Sequence, residues 1–206
     1  MSIKTKAVWG AGLHLAIIVS LGLASASCGD LTRQGTSSSY LIVSSLEGAS
    51  GATPEEFAGT LNSDVVTVVD ESPSTFNDVA RVSFRLGLKD PGTADAPTAP
   101  TQANWITVDR YRVRFIRSDG RNTEGVDIPY AFDSAFTATV AGDTQVGFTI
   151  VRHQAKDEAP LAALARNGIV ISTIAEVTFY GHDQTGRTVT ATANIGVSFA
   201  NFGDPD

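Results

Sequence analysis

Cys28 is the only cysteine in the chain, so it cannot close an internal disulfide and its chemistry must be of another kind. Four small residues, Ala24, Ser25, Ala26 and Ser27, lead into it, and an extended run of small side chains suits the groove of a processing peptidase. The remaining chemistry-bearing residues are scattered. His153 sits in VRHQ and His182 in GHDQ beside Asp183, a pairing that invites acid–base work, although a lone turn histidine is ordinarily solvated. No serine lies in a GxSxG elbow, and no HExxH or Cys/His cluster suggests zinc. Asp90 with Asp95, and Asp70 with Glu71, offer oxygens for calcium, yet neither pair has the spacing of a dedicated calcium loop, and loop aspartates usually make turns. These residues assign neither catalytic activity nor a cofactor or metal. Arg110, Arg112 and Arg114 fall on alternate positions and so share one face of a strand, with Arg81 and Arg85 expected beside them. That stripe suits an acidic protein or a sugar acid, or else a solvated face paired across strands with Asp and Glu. Trp105, next to a long loop, could stack on a sugar or open a core strand.

The segment before Cys28 explains its position. Lys4 and Lys6 precede an uncharged apolar stretch that runs to the cysteine, and no acidic residue occurs before Asp30. A basic start, an apolar middle and a small-residue exit are the parts of a secretory signal. Residues 7–27 are also long enough to span a bilayer, which takes roughly 20 apolar residues, so an uncleaved anchor is one alternative. An ordinary signal that leaves Cys28 as a free thiol is another. Removing residues 1–27 takes away two of 15 basic residues and none of the 22 acidic ones, leaving a net charge of −9. An acidic chain repels nucleic-acid phosphates, so DNA and RNA are not expected partners.

Residues 28–39 are polar and rich in Gly and Ser, which predicts a flexible tether. Residues 40–206 read as one β-rich domain. Strands are expected at 40–46, 64–69, 80–88, 105–117, 126–131, 136–140, 145–152, 169–180 and 188–199. In the 105–117 strand the apolar positions change phase after Val108, which predicts a bulge near Asp109 and Arg110. Thr53-Pro54-Glu55-Glu56 has the chemistry of a helix start, and residues 159–167 read as the one good helix. The 136–140 and 145–152 strands are expected to pair as a hairpin. The structureless loop 89–104 holds three prolines. This order, with no alternation of strand and helix, predicts an all-β antiparallel sandwich of about 7–9 strands with one short helix.

The exit at Cys28 resembles the lipobox of bacterial lipoproteins, although Ser25 stands where that family usually has Leu, with Leu23 two positions further back. The resemblance implies a lipoprotein signal at 1–27, cleavage before Cys28, lipidation of Cys28 and anchoring of the mature chain to a membrane. In such proteins an Asp directly after the cysteine favours the inner membrane. Gly29 stands there, so the resemblance favours the outer membrane of the cell envelope. The terminal pair, VTFYGHDQTGRTVTATANIGVSF, is similar to the last two strands of bacterial immunoglobulin-like domains and implies that fold, without an activity. The expected function is therefore a non-enzymatic structural or protein-interaction module with an envelope protein partner. The alternative is a glycan-binding surface module using Trp105, the 89–104 loop and the arginine face.

Overall fold

The computed structural model describes residues 37–203; the expected signal 1–27, Cys28 and most of the expected tether lie outside the described residues. The strands are β1 (Ser39–Ala49), β2 (Thr60–Asp64), β3 (Thr67–Val69), β4 (Ser72–Ser74), β5 (Asp78–Leu88), β6 (Gly92–Thr93), β7 (Ala96–Pro97), β8 (Ile106–Ile116), β9 (Phe132–Val140), β10 (Thr144–Val151), β11 (Ile171–Asp183) and β12 (Thr188–Ala200). One helical turn, α1 (His153–Lys156), and two 3₁₀ segments, Gln102–Asn104 and Leu161–Arg166, complete the described residues. A three-stranded sheet, β1-β5-β10, packs on a five-stranded sheet, β2-β12-β11-β8-β9. The fold is an all-β sandwich. Its strand order is that of immunoglobulin-like domains, with β1, β5 and β10 as A, B and E and β8, β11 and β12 as C, F and G. One pairing departs from the antiparallel expectation: β2 runs parallel to β12.

Alternation in the sequence sets the two walls of the core. Ala80, Val82 and Phe84 of β5 face Val177, Phe179, Ile195, Val197 and Phe199 of β11 and β12, all buried. Phe84 meets Phe179 edge-on at 4.9 Å, and Phe115 meets Phe199 at 5.4 Å. The bulge in β8 lies where the phase change predicted it. Asp109 is skipped in both ladders, so Ile106 and Val108 before it and Tyr111, Val113 and Phe115 after it all point inward. Opposite the bulge, Gly181 lets β11 approach β8 so closely that a Cβ would collide with the Thr107 carbonyl. Tyr111 also ties the sheets together, its hydroxyl donating to Thr149 O of β10 at 3.0 Å.

Several expected elements take another form. The helix start at 53–56 remains a turn, because Ala58 is drawn into a bridge with Gly48 and the chain then enters β2. The expected helix at 159–167 is instead a 3₁₀ segment whose two buried residues, Leu161 and Leu164, have the three-residue spacing that 3₁₀ geometry stacks. The expected 64–69 strand breaks after Asp64, whose carboxylate accepts hydrogen bonds from Thr67 Oγ1 and Phe202 N. Val65 stays buried, while Val68 and Val69 reach solvent. Residues 126–131 form a loop with a single bridge, Glu124 to Ile128. The expected hairpin partners β9 and β10 belong to different sheets, since residues 141–143 cross the sandwich edge. Phe136 and Phe148 still face each other across the core, at 6.3 Å. Within 89–104, β6 and β7 form a small exposed ribbon.

Strand register gathers the loops into two ends. The chain enters at Ser39, and that near pole also holds loop 89–105 and turns 141–143 and 184–187. The far pole is built from loops 65–77, 117–131 and 152–170.

Candidate functional site

The arginine stripe lies on the outer face of the five-stranded sheet. Arg110 and Arg112 share the carboxylate of Asp133 on β9, at 3.1 and 2.8 Å, and Arg114 pairs with Glu176 on β11 at 2.9 Å. Each arginine is about half exposed, so these pairs are screened and each contributes at most about 1 kcal/mol. The Arg110 guanidinium also lies 4.0 Å from the centre of the Tyr180 ring. Arg81 and Arg85 are not beside this stripe. They belong to β5 in the other sheet, where they pair with Glu47 and Asp143.

Trp105 sits at the near pole, half-buried between the Gln102–Asn104 turn and β8. Gln102, Thr107, Thr139 and Gln184 join it in a shallow cleft. These polar groups are already ordered: Gln184 Nε2 donates to Thr107 Oγ1 at 3.1 Å, and that hydroxyl lies 3.4 Å from Thr139 Oγ1. An indole with amides and hydroxyls at its edge is chemistry that a sugar ring can use.

The acid–base candidates are engaged elsewhere. Asp183 is buried, and its Oδ1 accepts from Thr185 N, Thr185 Oγ1 and Arg187 N at 2.9, 2.6 and 3.0 Å. Burial raises its pKa, but hydrogen bonds from Thr185, Arg187 and the Ser37 side chain together outweigh burial, and the net direction is down. The carboxylate nearest His182 is that of Asp109, at 3.4 Å, and both are exposed to solvent. His153 binds Asn77 Oδ1 through its backbone N–H at 2.7 Å. Asp70 and Glu71 take positive φ, +49° and +64°, as the two turn residues between β3 and β4. Asp90 accepts from Gly92 N at 3.1 Å within its own loop.

A different feature emerges at the far pole. Of the ten exposed large apolar residues among the described residues, eight lie there: Val68, Val69, Phe76, Val126, Tyr130, Ile169, Val170 and, just inside β11, Ile174. These loops meet: Asn77 is hydrogen-bonded to His153, and Pro129, Tyr130, Arg152 and Ala155 line a common cleft. The far-pole loops carry seven acidic residues (Asp70, Glu71, Asp119, Glu124, Asp127, Asp157 and Glu158) against four arginines (Arg117, Arg121, Arg152 and Arg166). Sequence reading missed this cluster because its members are far apart in the chain, and only the strand register brings them to one end.

The fold thus defines an all-β sandwich. No protein-family model and no curated protein matches the chain.

Proposed function

We infer that this chain is a lipoprotein of the cell envelope, anchored through lipid on Cys28, favouring the outer membrane, and acting without catalysis as a protein-interaction module. The observation that carries the interaction reading is the concentration of exposed apolar side chains at the pole opposite the chain's point of entrance. Apolar surface gathered in one place marks an interaction site, whereas scattered apolar residues do not. The anchor reading is supported by the small-residue exit before Cys28 and the basic, apolar segment preceding it. From Cys28 to Ser39 the chain advances 11 residues, which at about 3.5 Å each reaches no more than about 40 Å. A lipid on Cys28 therefore limits how far the near pole, where the chain enters the domain, can stand from the bilayer. The partner this favours is a protein surface that is apolar at its centre and basic at its rim.

Site-specific photo-crosslinking in the intact envelope tests the reading. A crosslinker at Val126 or Ile169 is expected to trap one discrete protein, while one at Tyr40 or Arg112 does not trap it. Equal trapping at all four positions, or none at any, contradicts it.

A second reading, a glycan-binding module, is favoured by the Trp105 cleft with its ordered amides and hydroxyls. A glycan array with Trp105→Ala as control separates the two: saccharide binding lost in that variant supports the glycan module, and no binding counts against it.

A further inference from the structure

The near pole carries a second concavity, distinct from the Trp105 cleft. It encloses about 470 Å³ and is lined by Ser39, Tyr40, Lys89, Arg110, Tyr180 and Thr190, among others. Two of its walls are cation–aromatic pairs. Lys89 Nζ lies 5.1 Å from the centre of the Tyr40 ring, and the Arg110 guanidinium 4.0 Å from that of Tyr180. Stacking holds a guanidinium flat and leaves its N–H edge available to an oxyanion. Arg110 shares one carboxylate with Arg112, so these three groups carry one net positive charge. Asp133 occupies one of the five N–H donors of Arg110. Of the two lysines among the described residues, Lys156 is buried and the other, Lys89, lines this groove.

A second, independent observation comes from Ser39. Its side chain is buried in the groove lining, yet its hydroxyl has no hydrogen-bond partner. Buried polar groups are ordinarily satisfied, and an unsatisfied one calls for a partner from outside the protein. Asp183, the last residue of β11, has its Oδ1 bound to Thr185 and Arg187, while its Oδ2, like the Ser39 hydroxyl, is buried without a hydrogen-bond partner.

We propose that this groove is a binding site for a phosphate ester, the group presented by a phospholipid headgroup or by a free glycerol phosphate. The cations supply charge-assisted hydrogen bonds to phosphate oxygens, the tyrosines flank the ester carbons, and Ser39 adds a neutral donor. The lipid source rests on the Cys28 anchor reading, since only an anchor at this end brings the groove to the headgroups.

The test uses the mature chain in uncharged detergent, isotope-labelled and titrated with glycerol 3-phosphate at constant ionic strength. Saturable amide shifts confined to Ser39, Lys89, Arg110 and Thr190 are expected, with affinity falling at least tenfold in Arg110→Ala and in Lys89→Ala and unchanged in Arg114→Ala. Shifts that do not saturate, or that Arg110→Ala and Lys89→Ala leave intact, overturn the proposal. A second arm places the same protein in phospholipid vesicles and follows hydrogen exchange. Added protection at residues 39–41 and 188–190, relative to detergent and lost in Arg110→Ala, identifies the headgroup as the source. Saturable binding of glycerol phosphate without that protection identifies the free ester. If the mature protein proves unacylated while the saturable shifts persist, the anchor reading fails and the site stands.

Discussion

Lys156 Nζ lies 2.8 Å from Asp78 Oδ1, with both side chains almost wholly shielded from water. Lys156 also donates to Asp64 O at 2.7 Å, while Asp78 accepts from Ser63 Oγ at 2.5 Å and from Gly51 N at 2.8 Å. The pair joins α1 to β2, β5 and the turn after β1 at the base of the far pole. Burial pushes the Asp78 carboxyl up and prevails over Lys156, Ser63 and Gly51, which hold it down. Replacing the pair with apolar groups need not be costly, but removing one member strands the other. Lys156→Met is therefore expected to lower unfolding stability by about 3–5 kcal/mol, and Lys156→Met with Asp78→Leu by less than the sum of the two single changes. Urea denaturation measures both. A single-variant loss below about 1 kcal/mol would show that the pair is not held dry.

Asp119 provides a pH signature. Arg117 donates to it, as do the backbone and side chain of Arg121, and its pKa is lowered to about 2. A carboxylate depressed on folding adds stability that is present above its ordinary pKa and lost as pH falls through the folded value. Here that window runs from the ordinary 3.8 down to about 2. Carboxyl NMR titration is expected to place Asp119 near the lower value, and Arg117→Ala to move it back toward the ordinary one. An Asp119 that titrates normally in the unaltered protein contradicts the geometry of this loop.

Gly181 tests the bulge. A methyl group there meets the backbone of Thr107, which cannot rotate away as a side chain would. Gly181→Ala is expected to cost about 1–3 kcal/mol, the usual range for overpacking. Gly186→Ala is the contrast: a Cβ there meets nothing nearby, and its cost comes only from a φ of +81°. Thermal unfolding of the two variants, with amide shifts at Val108 and Arg110, distinguishes collision from backbone strain. A Gly181→Ala variant with wild-type stability and unmoved β8 amides would contradict the close approach of β11 to β8.

Tyr111 links the sheets through one hydroxyl. Tyr111→Phe removes the bond to Thr149 O while leaving the ring packed on Phe148 at 4.8 Å. The expected loss is about 0.5–1.5 kcal/mol, with hydrogen exchange rising in β10 before β12. Uniform change across both sheets would show that the hydroxyl does not join them.

The sequence disclosed what depends on side-chain period and hid what depends on partners. The alternation of β5 and β12 and the phase change at Asp109 were legible, because each is a local pattern with one physical reading. The pairing of β9 and β10 was not, because a strand with one apolar face fits either wall of a sandwich. The helix expected at 159–167 has helical composition, but one or two turns are too short to propagate, and burial of Leu161 and Leu164 set the tighter form. Of the site residues, the arginine stripe was legible from spacing alone; its carboxylate partners were not, since Asp133 and Glu176 come from other strands. The far-pole apolar cluster and the groove between Tyr40 and Tyr180 are products of register and left no signal in any one segment.

The proposed envelope role rests on lipidation of Cys28. Intact-mass and peptide mass spectrometry of the mature protein extracted from membranes tests that claim most directly. The account predicts an amino terminus at Cys28 carrying acyl chains on its thiol and its new amino group. A mature chain that begins elsewhere, or at an unmodified Cys28, would contradict it.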